Sequence, residues 1–175
     1  MQANVMKLHA AGFTLIELIM VVVILVILSL IAVPSYQMHL IRQAESQARQ
    51  ELLKIAEQLE RHKSRNFSYH GFDLADIYEG QQPGADTLQI PLNKQSAAKY
   101  ELKLADVSEP SLKTLLSTDQ GIGRQWAMAA LPLQAGYEAY LIRSDGKRCK
   151  TEYWVANDVK EIQQYQGCGS NEKVW

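Results

Sequence analysis

One carboxylate, Glu17, lies near the start of a strongly apolar run from Phe13 to Pro34. The 22 residues of this run would form a helix of about 33 Å, close to the hydrocarbon thickness of a bilayer. An ionisable side chain in such a segment is costly and by default indicates a functional site. Glu17 lies four residues after Phe13, on the same helical face. If the chain began at Phe13, Glu17 could pair with its own terminal ammonium or with that of a neighbouring subunit, and the second pairing would set the stagger between subunits.

The residues before the apolar run do not have the order of a secretory signal peptide. The small-residue site Ala10-Ala11-Gly12 precedes the apolar segment, whereas a secretory cleavage site follows it. Cleavage after Gly12 would leave the apolar helix on the mature chain. Lys7 and the amino terminus come before the helix, so we expect the leader in the cytoplasm and the rest of the chain outside. The alternative is an uncleaved anchor that holds an enzyme to a membrane.

Two cysteines, Cys149 and Cys168, form the second group with chemical potential. Their even number and the membrane-targeting N-terminus favour a disulfide in an oxidising compartment, and the alternative is a pair of reduced thiols. His62 and His70 have no cysteine or acidic residue at a ligand spacing, so we predict no metal site and no cofactor. No hydrolase, redox or phosphate-binding motif occurs, and we therefore predict no catalytic residue and no enzyme activity.

A cluster of basic residues surrounds the predicted hairpin tip at Asp145-Gly146. It consists of Arg143, Lys147, Arg148 and Lys150. One interpretation is contact with DNA phosphates. We favour the other interpretation, a solvated turn offset by Asp145 and Glu152, because no repeated basic-aromatic pattern accompanies the cluster. The net charge of -1 gives no global attraction to nucleic acid.

The element that must position Glu17 is one long helix. After Pro34, apolar residues recur at spacings of three and four and predict one buried stripe. The stripe consists of Ile41, Ala44, Ala48, Leu52, Ile55 and Leu59. We predict a helix over residues 13–64, of which 13–34 form a transmembrane segment or filament core and 35–64 are amphipathic. Pro34 removes one helical hydrogen bond and should bend this helix.

Residues 65–175 are predicted to form a globular head rich in β-strands. The stretch YELKLAD alternates, with Tyr100, Leu102 and Leu104 on one side. RQWAMAALPL reads as another strand, and Asp145-Gly146 predicts a hairpin. Residues 66–84 and 107–123 are expected to be loops, the second with a helical turn at 112–116. A long helix followed by an antiparallel sheet gives an α+β fold.

The stretch GFTLIELIMVVVILVILSLIAVPSYQ resembles the class III signal and N-terminal helix of type IV pilins and pseudopilins. The resemblance covers residues 11–37. It implies that a prepilin peptidase removes residues 1–12 by cutting between Gly12 and Phe13, and that Phe13 is N-methylated. It also implies a role in assembly for Glu17 and a helix kink at Pro34. Many pilins carry a glycine midway along this helix, where this sequence reads ILVI, so partial melting of the helix in a filament is less firmly implied.

The C-terminal part resembles PilE-type minor pilins more loosely. The resemblance lies in a strand with Trp126, then SDGKRC, then a second cysteine near the end. It implies that Cys149 and Cys168 are the pair that closes the C-terminal loop of the head.

These resemblances imply a structural subunit, a minor pilin of a type IV pilus, that supports pilus assembly, twitching motility, adhesion and natural transformation. The implied partners are other pilin subunits, the prepilin peptidase, the inner-membrane assembly machinery and, before assembly, membrane lipid; DNA is a weaker candidate. The implied location is the inner membrane, crossed once with the head in the periplasm, and then the assembled pilus at the bacterial surface. Alternatives are a type II secretion pseudopilin and a DNA-binding competence pilin.

Overall fold

The computed structural model describes residues 14–92, 96–109, 112–114, 116–152, 164–169 and 172–175. These residues form a long helix, a short 3-10 helix and an antiparallel sheet, which confirms the predicted α+β fold. The elements are α1 (Leu15–Asn66), the 3-10 helix (Leu74–Asp76), β1 (Thr87–Ile90), β2 (Tyr100–Glu109), β3 (Leu112–Thr114), β4 (Trp126–Pro132), β5 (Glu138–Arg143) and β6 (Arg148–Glu152). The predicted cleavage site at Gly12 and Phe13 lies outside the described residues.

The chain divides into two compact units, residues 1–40 and residues 41–175, and α1 contributes to both. In the first unit the large apolar side chains from Leu15 to Leu40 keep between 42% and 76% of their surface exposed. An 18-residue window of α1 has a mean hydropathy of 3.2, so the helix is long and apolar enough to cross a membrane. Pro34 lies inside α1, and the bend expected there stays a prediction.

In the second unit the predicted apolar stripe of α1 lies against the sheet. Ala44, Ala48, Leu52, Ile55 and Leu59 are buried, and Ile41 is partly buried beside them. The side chains packed with them come from alternate positions of the strands, as the period of two requires. They include Tyr100, Leu102 and Leu104 of β2, Trp126, Met128 and Ala130 of β4, and Tyr140 and Ile142 of β5. The predicted alternation in β2 is therefore confirmed.

The sheet has the strand order β1-β2-β4-β5-β6, and β3 also pairs with β2. All of these pairs are antiparallel. Asp145-Gly146 forms the turn between β5 and β6, with Gly146 at φ +87° and the Arg143 N–H donating to the Lys147 carbonyl at 3.0 Å. The hairpin prediction is confirmed.

The opposite face of the sheet carries small side chains and the C-terminal loop. Its buried cluster contains Ala105, Ala127, Ala129, Leu131, Ala139, Leu141, Cys149, Tyr165 and Cys168. Cys149 of β6 is bonded to Cys168, with 2.11 Å between the two Sγ atoms. The predicted disulfide is confirmed, and it covalently joins the loop to a face lined by alanine.

Two features of the head differ from the sequence-based expectation. The predicted loop over 107–123, with its helical turn at 112–116, is wrong, because β2 continues to Glu109 and β3 occupies Leu112–Thr114. Asp106 pairs with Thr114 and Glu109 with Leu112, so the open backbone of β2 draws this segment into the sheet against its weak helical preference. Strand β1 was not predicted at all, because only two of its four residues, Leu88 and Ile90, are buried.

Candidate functional site

Glu17 lies in the first turn of α1, and its backbone N–H donates to Oγ1 of Thr14 at 3.3 Å. Thr14 and Glu17 have the spacing of a capping box, in which a Thr side chain satisfies an N–H of the first helical turn. A carboxylate in this turn also complements the positive end of the helix dipole. Glu17 therefore stabilises the start of α1, and its predicted ammonium partner at Phe13 lies outside the described residues.

Three of the four basic residues at the β5–β6 hairpin have carboxylate partners. Their ion pairs are Arg143 with Asp145 at 3.1 Å, Lys147 with Glu172 at 3.3 Å and Lys150 with Glu138 at 2.7 Å. Arg148 is exposed and makes no ion pair within the described part of the chain. The side chain of Glu152, the second expected counter-charge, lies outside that part. Most of the hairpin's positive charge is thus already neutralised.

Lys150 belongs to a polar network between α1 and the sheet. Its Nζ donates to both carboxylate oxygens of Glu138, at 2.7 and 2.9 Å, and the Tyr140 hydroxyl donates to the same carboxylate at 3.0 Å. The Glu138 backbone N–H donates to Glu45 of α1 at 3.2 Å. Burial raises the pKa of Glu45, while this hydrogen bond from Glu138 opposes the rise. Lys150 therefore serves the fold and is not free to bind an anion.

Arg148 borders a groove of about 330 Å³ between α1 and the hairpin. Glu57 and Glu60 of α1 also line this groove, together with Arg143 and Trp126. The two carboxylates lower the local attraction for an anion. The hairpin predicted as the DNA contact is therefore a poor phosphate site in the folded head.

A second group of basic side chains, not identified from the sequence, lies where α1 ends. We call it the helix-end cluster, and it consists of Lys63, Arg65, His70 and Arg124, all exposed. The Gly123 carbonyl accepts hydrogen bonds from the Tyr69 N–H at 2.9 Å and the Ser68 hydroxyl at 3.1 Å. This contact brings Arg124 to the segment that carries the other three. Among the described residues neither Arg65 nor Arg124 makes an ion pair.

Two side chains of β2 hold the backbone that presents Arg124. Asp106 is 2% exposed and accepts a hydrogen bond from the Gly123 N–H at 2.7 Å. The Ser108 hydroxyl accepts from the N–H groups of Arg124 at 2.9 Å and Gln125 at 3.0 Å. The backbone of Arg124 is therefore fixed while its side chain reaches solvent.

No metal site accompanies these groups. Within the ranges that the structure describes, no three His, Cys, Asp or Glu side chains are placed to hold an ion. The chemistry on offer is charge, hydrogen bonding and apolar contact, which suits assembly and binding.

Two family models match the chain. A model of the prokaryotic N-terminal methylation motif matches residues 7–33, and a model of the type IV minor pilin ComP, DNA uptake sequence receptor, matches residues 34–113. No curated protein and no solved structure matches it. The two matched segments adjoin and together contain all of α1 and the first half of the sheet. With the exposed apolar helix, the antiparallel head and the C-terminal disulfide, they show that this chain belongs to the type IV pilins and is a minor pilin.

Proposed function

We propose that this minor pilin is cleaved between Gly12 and Phe13, N-methylated at Phe13, and assembled into a pilus through the first half of α1. The observation that carries the proposal is the exposure of every large apolar side chain from Leu15 to Leu40. A surface of this size is unfavourable in water and must be covered by lipid or by other helices. The inner membrane covers it before assembly, with the head in the periplasm, and neighbouring pilin helices cover it afterwards.

Glu17 favours a packed filament over a simple lipid anchor. A carboxylate at the centre of a membrane helix costs a few kcal/mol, and a plain anchor gains nothing from it. The cap with Thr14 explains a polar residue at this position, but glutamine would serve a capping box as well. The negative charge is explained when Glu17 neutralises the terminal ammonium of a neighbouring subunit, since such pairs specify register.

Intact mass and N-terminal sequencing of the protein from its native membrane test the processing. We expect a mature chain that starts at N-methylated Phe13, and a Gly12→Val variant that keeps Met1. The same mature chain should be present in sheared filaments, and the uncleaved variant should be absent from them. A wild-type chain that keeps Met1 would contradict the proposal and leave a signal-anchored protein.

We further propose that the head binds DNA during uptake, at the helix-end cluster. The matched family model describes a DNA uptake sequence receptor. Arg65 and Arg124 are exposed cations without a carboxylate partner among the described residues, whereas the hairpin cations Arg143, Lys147 and Lys150 are paired. The carbonyl end of α1 carries only a partial negative charge, which the cluster outweighs. Phosphates are therefore attracted to this end of the head.

Salt-dependent binding by the full chain in detergent micelles tests the DNA contact. Fluorescence anisotropy with a labelled oligonucleotide should show affinity falling as salt rises. The double variant Arg65→Gln/Arg124→Gln should lower the slope of log K against log salt by about 2, since each lost phosphate contact accounts for about one. Lys147→Gln is the matched control, because its charge is already paired with Glu172. An unchanged slope in the double variant would place the contact elsewhere.

A further inference from the structure

Phe67 has no structural reason to be an aromatic residue. It follows α1 directly, and 91% of its surface is exposed. Its backbone has φ +59°, and its N–H closes the helix on the Lys63 carbonyl at 2.7 Å. This left-handed position after a helix normally carries glycine or asparagine, because a larger side chain is strained there. Phe67 thus costs conformational energy and buries almost nothing, and such an outlier points to a function.

The surroundings hold Phe67 firmly on both sides. Asn66 before it is the last residue of α1, and Ser68 and Tyr69 after it are hydrogen-bonded to Gly123. Tyr69 is 2% exposed, and its hydroxyl donates to Glu60 at 2.7 Å. The ring is therefore presented on a fixed backbone, which lowers the entropy lost when a ligand binds it.

The chemistry next to this ring is that of the helix-end cluster. Arg65 lies two residues before Phe67, His70 three residues after it, and Arg124 follows the Gly123 contact. An exposed aromatic face combined with cations is the arrangement that binds single-stranded nucleic acid, since bases stack on the ring while phosphates meet the charges.

We propose that Phe67 is a stacking platform for an unpaired DNA base, with phosphates of the same strand held by Arg65 and Arg124. The proposal rests on the DNA contact proposed above and names the form of DNA that this site takes. Insertion of Phe67 into a duplex is the less favourable arrangement. A wedge must pay for unstacking and is repaid only when bent DNA wraps a large protein surface. The helix-end cluster offers too few cations for that, whereas an unpaired base needs no unstacking.

Binding of a single-stranded oligonucleotide that contains 2-aminopurine tests this, with the full chain in detergent micelles. Stacking on Phe67 should change the 2-aminopurine emission. Phe67→Asn should bind the single strand about tenfold more weakly and lose the emission change, with the salt slope unchanged. Phe67→Tyr should keep both. Binding of the matching duplex should not distinguish the three proteins.

The asparagine variant separates a binding defect from a folding defect. Asparagine accepts φ +59° more readily than phenylalanine, so the thermal midpoint of Phe67→Asn should equal or exceed that of the wild type. Equal single-strand affinity and equal emission change in Phe67→Asn would overturn the stacking platform while leaving the DNA contact intact. Loss of Phe67→Asn from filaments with normal DNA binding would overturn it too, and would make Phe67 a subunit contact. Absence of salt-dependent binding by the wild type would instead reject the proposed DNA contact itself.

Discussion

The Gly123 carbonyl oxygen and the Tyr69 N–H form a 2.9 Å hydrogen bond that joins the segment after α1 to the segment before β4. Only glycine permits this approach. Gly123 has φ +68°, and a Cβ atom there would lie 2.3 Å from the His70 backbone nitrogen and 2.6 Å from the Ser68 hydroxyl oxygen. The contact holds Arg124 beside the other members of the helix-end cluster.

Gly123→Ala should destabilise the head by more than about 2 kcal/mol, because the backbone of His70 must move as well as φ being strained. Gly136→Ala is the control. Gly136 has φ +86° but nothing within 4 Å of its hypothetical Cβ, so it should cost only about 1 kcal/mol. Urea unfolding of the full chain in detergent, followed by tryptophan fluorescence, measures both. Equal losses would mean that the close approach to His70 is not tight.

Glu17→Gln should leave the chain processed and inserted but should reduce its incorporation into filaments. Glutamine keeps the helix cap with Thr14 and removes only the negative charge. Glu17→Asp, which keeps the charge, should recover part of the incorporation. Quantitative immunoblots of membrane and sheared-filament fractions give the ratio. Normal incorporation of Glu17→Gln would exclude a charge-pairing role.

Replacing both disulfide cysteines by alanine should lower the free energy of unfolding by about 3 kcal/mol, the expected effect of a cross-link across 19 positions. A reducing agent should destabilise the wild type by a similar amount and should not affect the variant. Urea unfolding with and without reductant provides the comparison. A loss well below 1 kcal/mol would mean that the packing of Tyr165 and its neighbours holds the loop without the bond.

The pH dependence of stability should include a contribution from Glu45. Burial raises its pKa above the ordinary value of 4.5, and the Glu138 carboxylate adds to the rise, while the Glu138 backbone N–H, Arg49 and Lys150 oppose it. The folded state therefore binds a proton more readily than the unfolded state, and stability falls as pH rises above about 4.5. Glu45→Gln should remove this fall, so the variant should gain on the wild type between about pH 4 and 7. A constant difference across that range would refute the assignment.

The features predictable from sequence are those that neighbouring residues encode. The stripe from Ala44 to Leu59, the alternation from Tyr100 to Leu104 and the Asp145-Gly146 turn each depend on residues a few positions apart, and the structure contains all three. The segment at Leu112–Thr114 was misjudged because its structure comes from pairing with β2, which local preference does not contain.

The charges of the head show the same limit. The hairpin cations look free in sequence because their partners are remote, Glu138 for Lys150 and Glu172 for Lys147. The helix-end cluster looks absent because Arg124 reaches Arg65 only through the Gly123 contact. The one local signal was Phe67 among basic residues just after a helix, an aromatic residue where glycine or asparagine is usual.

Strand β4 is covered on both faces and paired on both edges, and all seven of its residues are buried. Local opening cannot expose its amides, so they should exchange with deuterium only when the whole head unfolds. Amides in the segment after α1, bordered by the exposed Phe67, should exchange through smaller openings. One exchange experiment on this protein would thus report two separate quantities, the global stability at β4 and the local rigidity of the surface around Phe67.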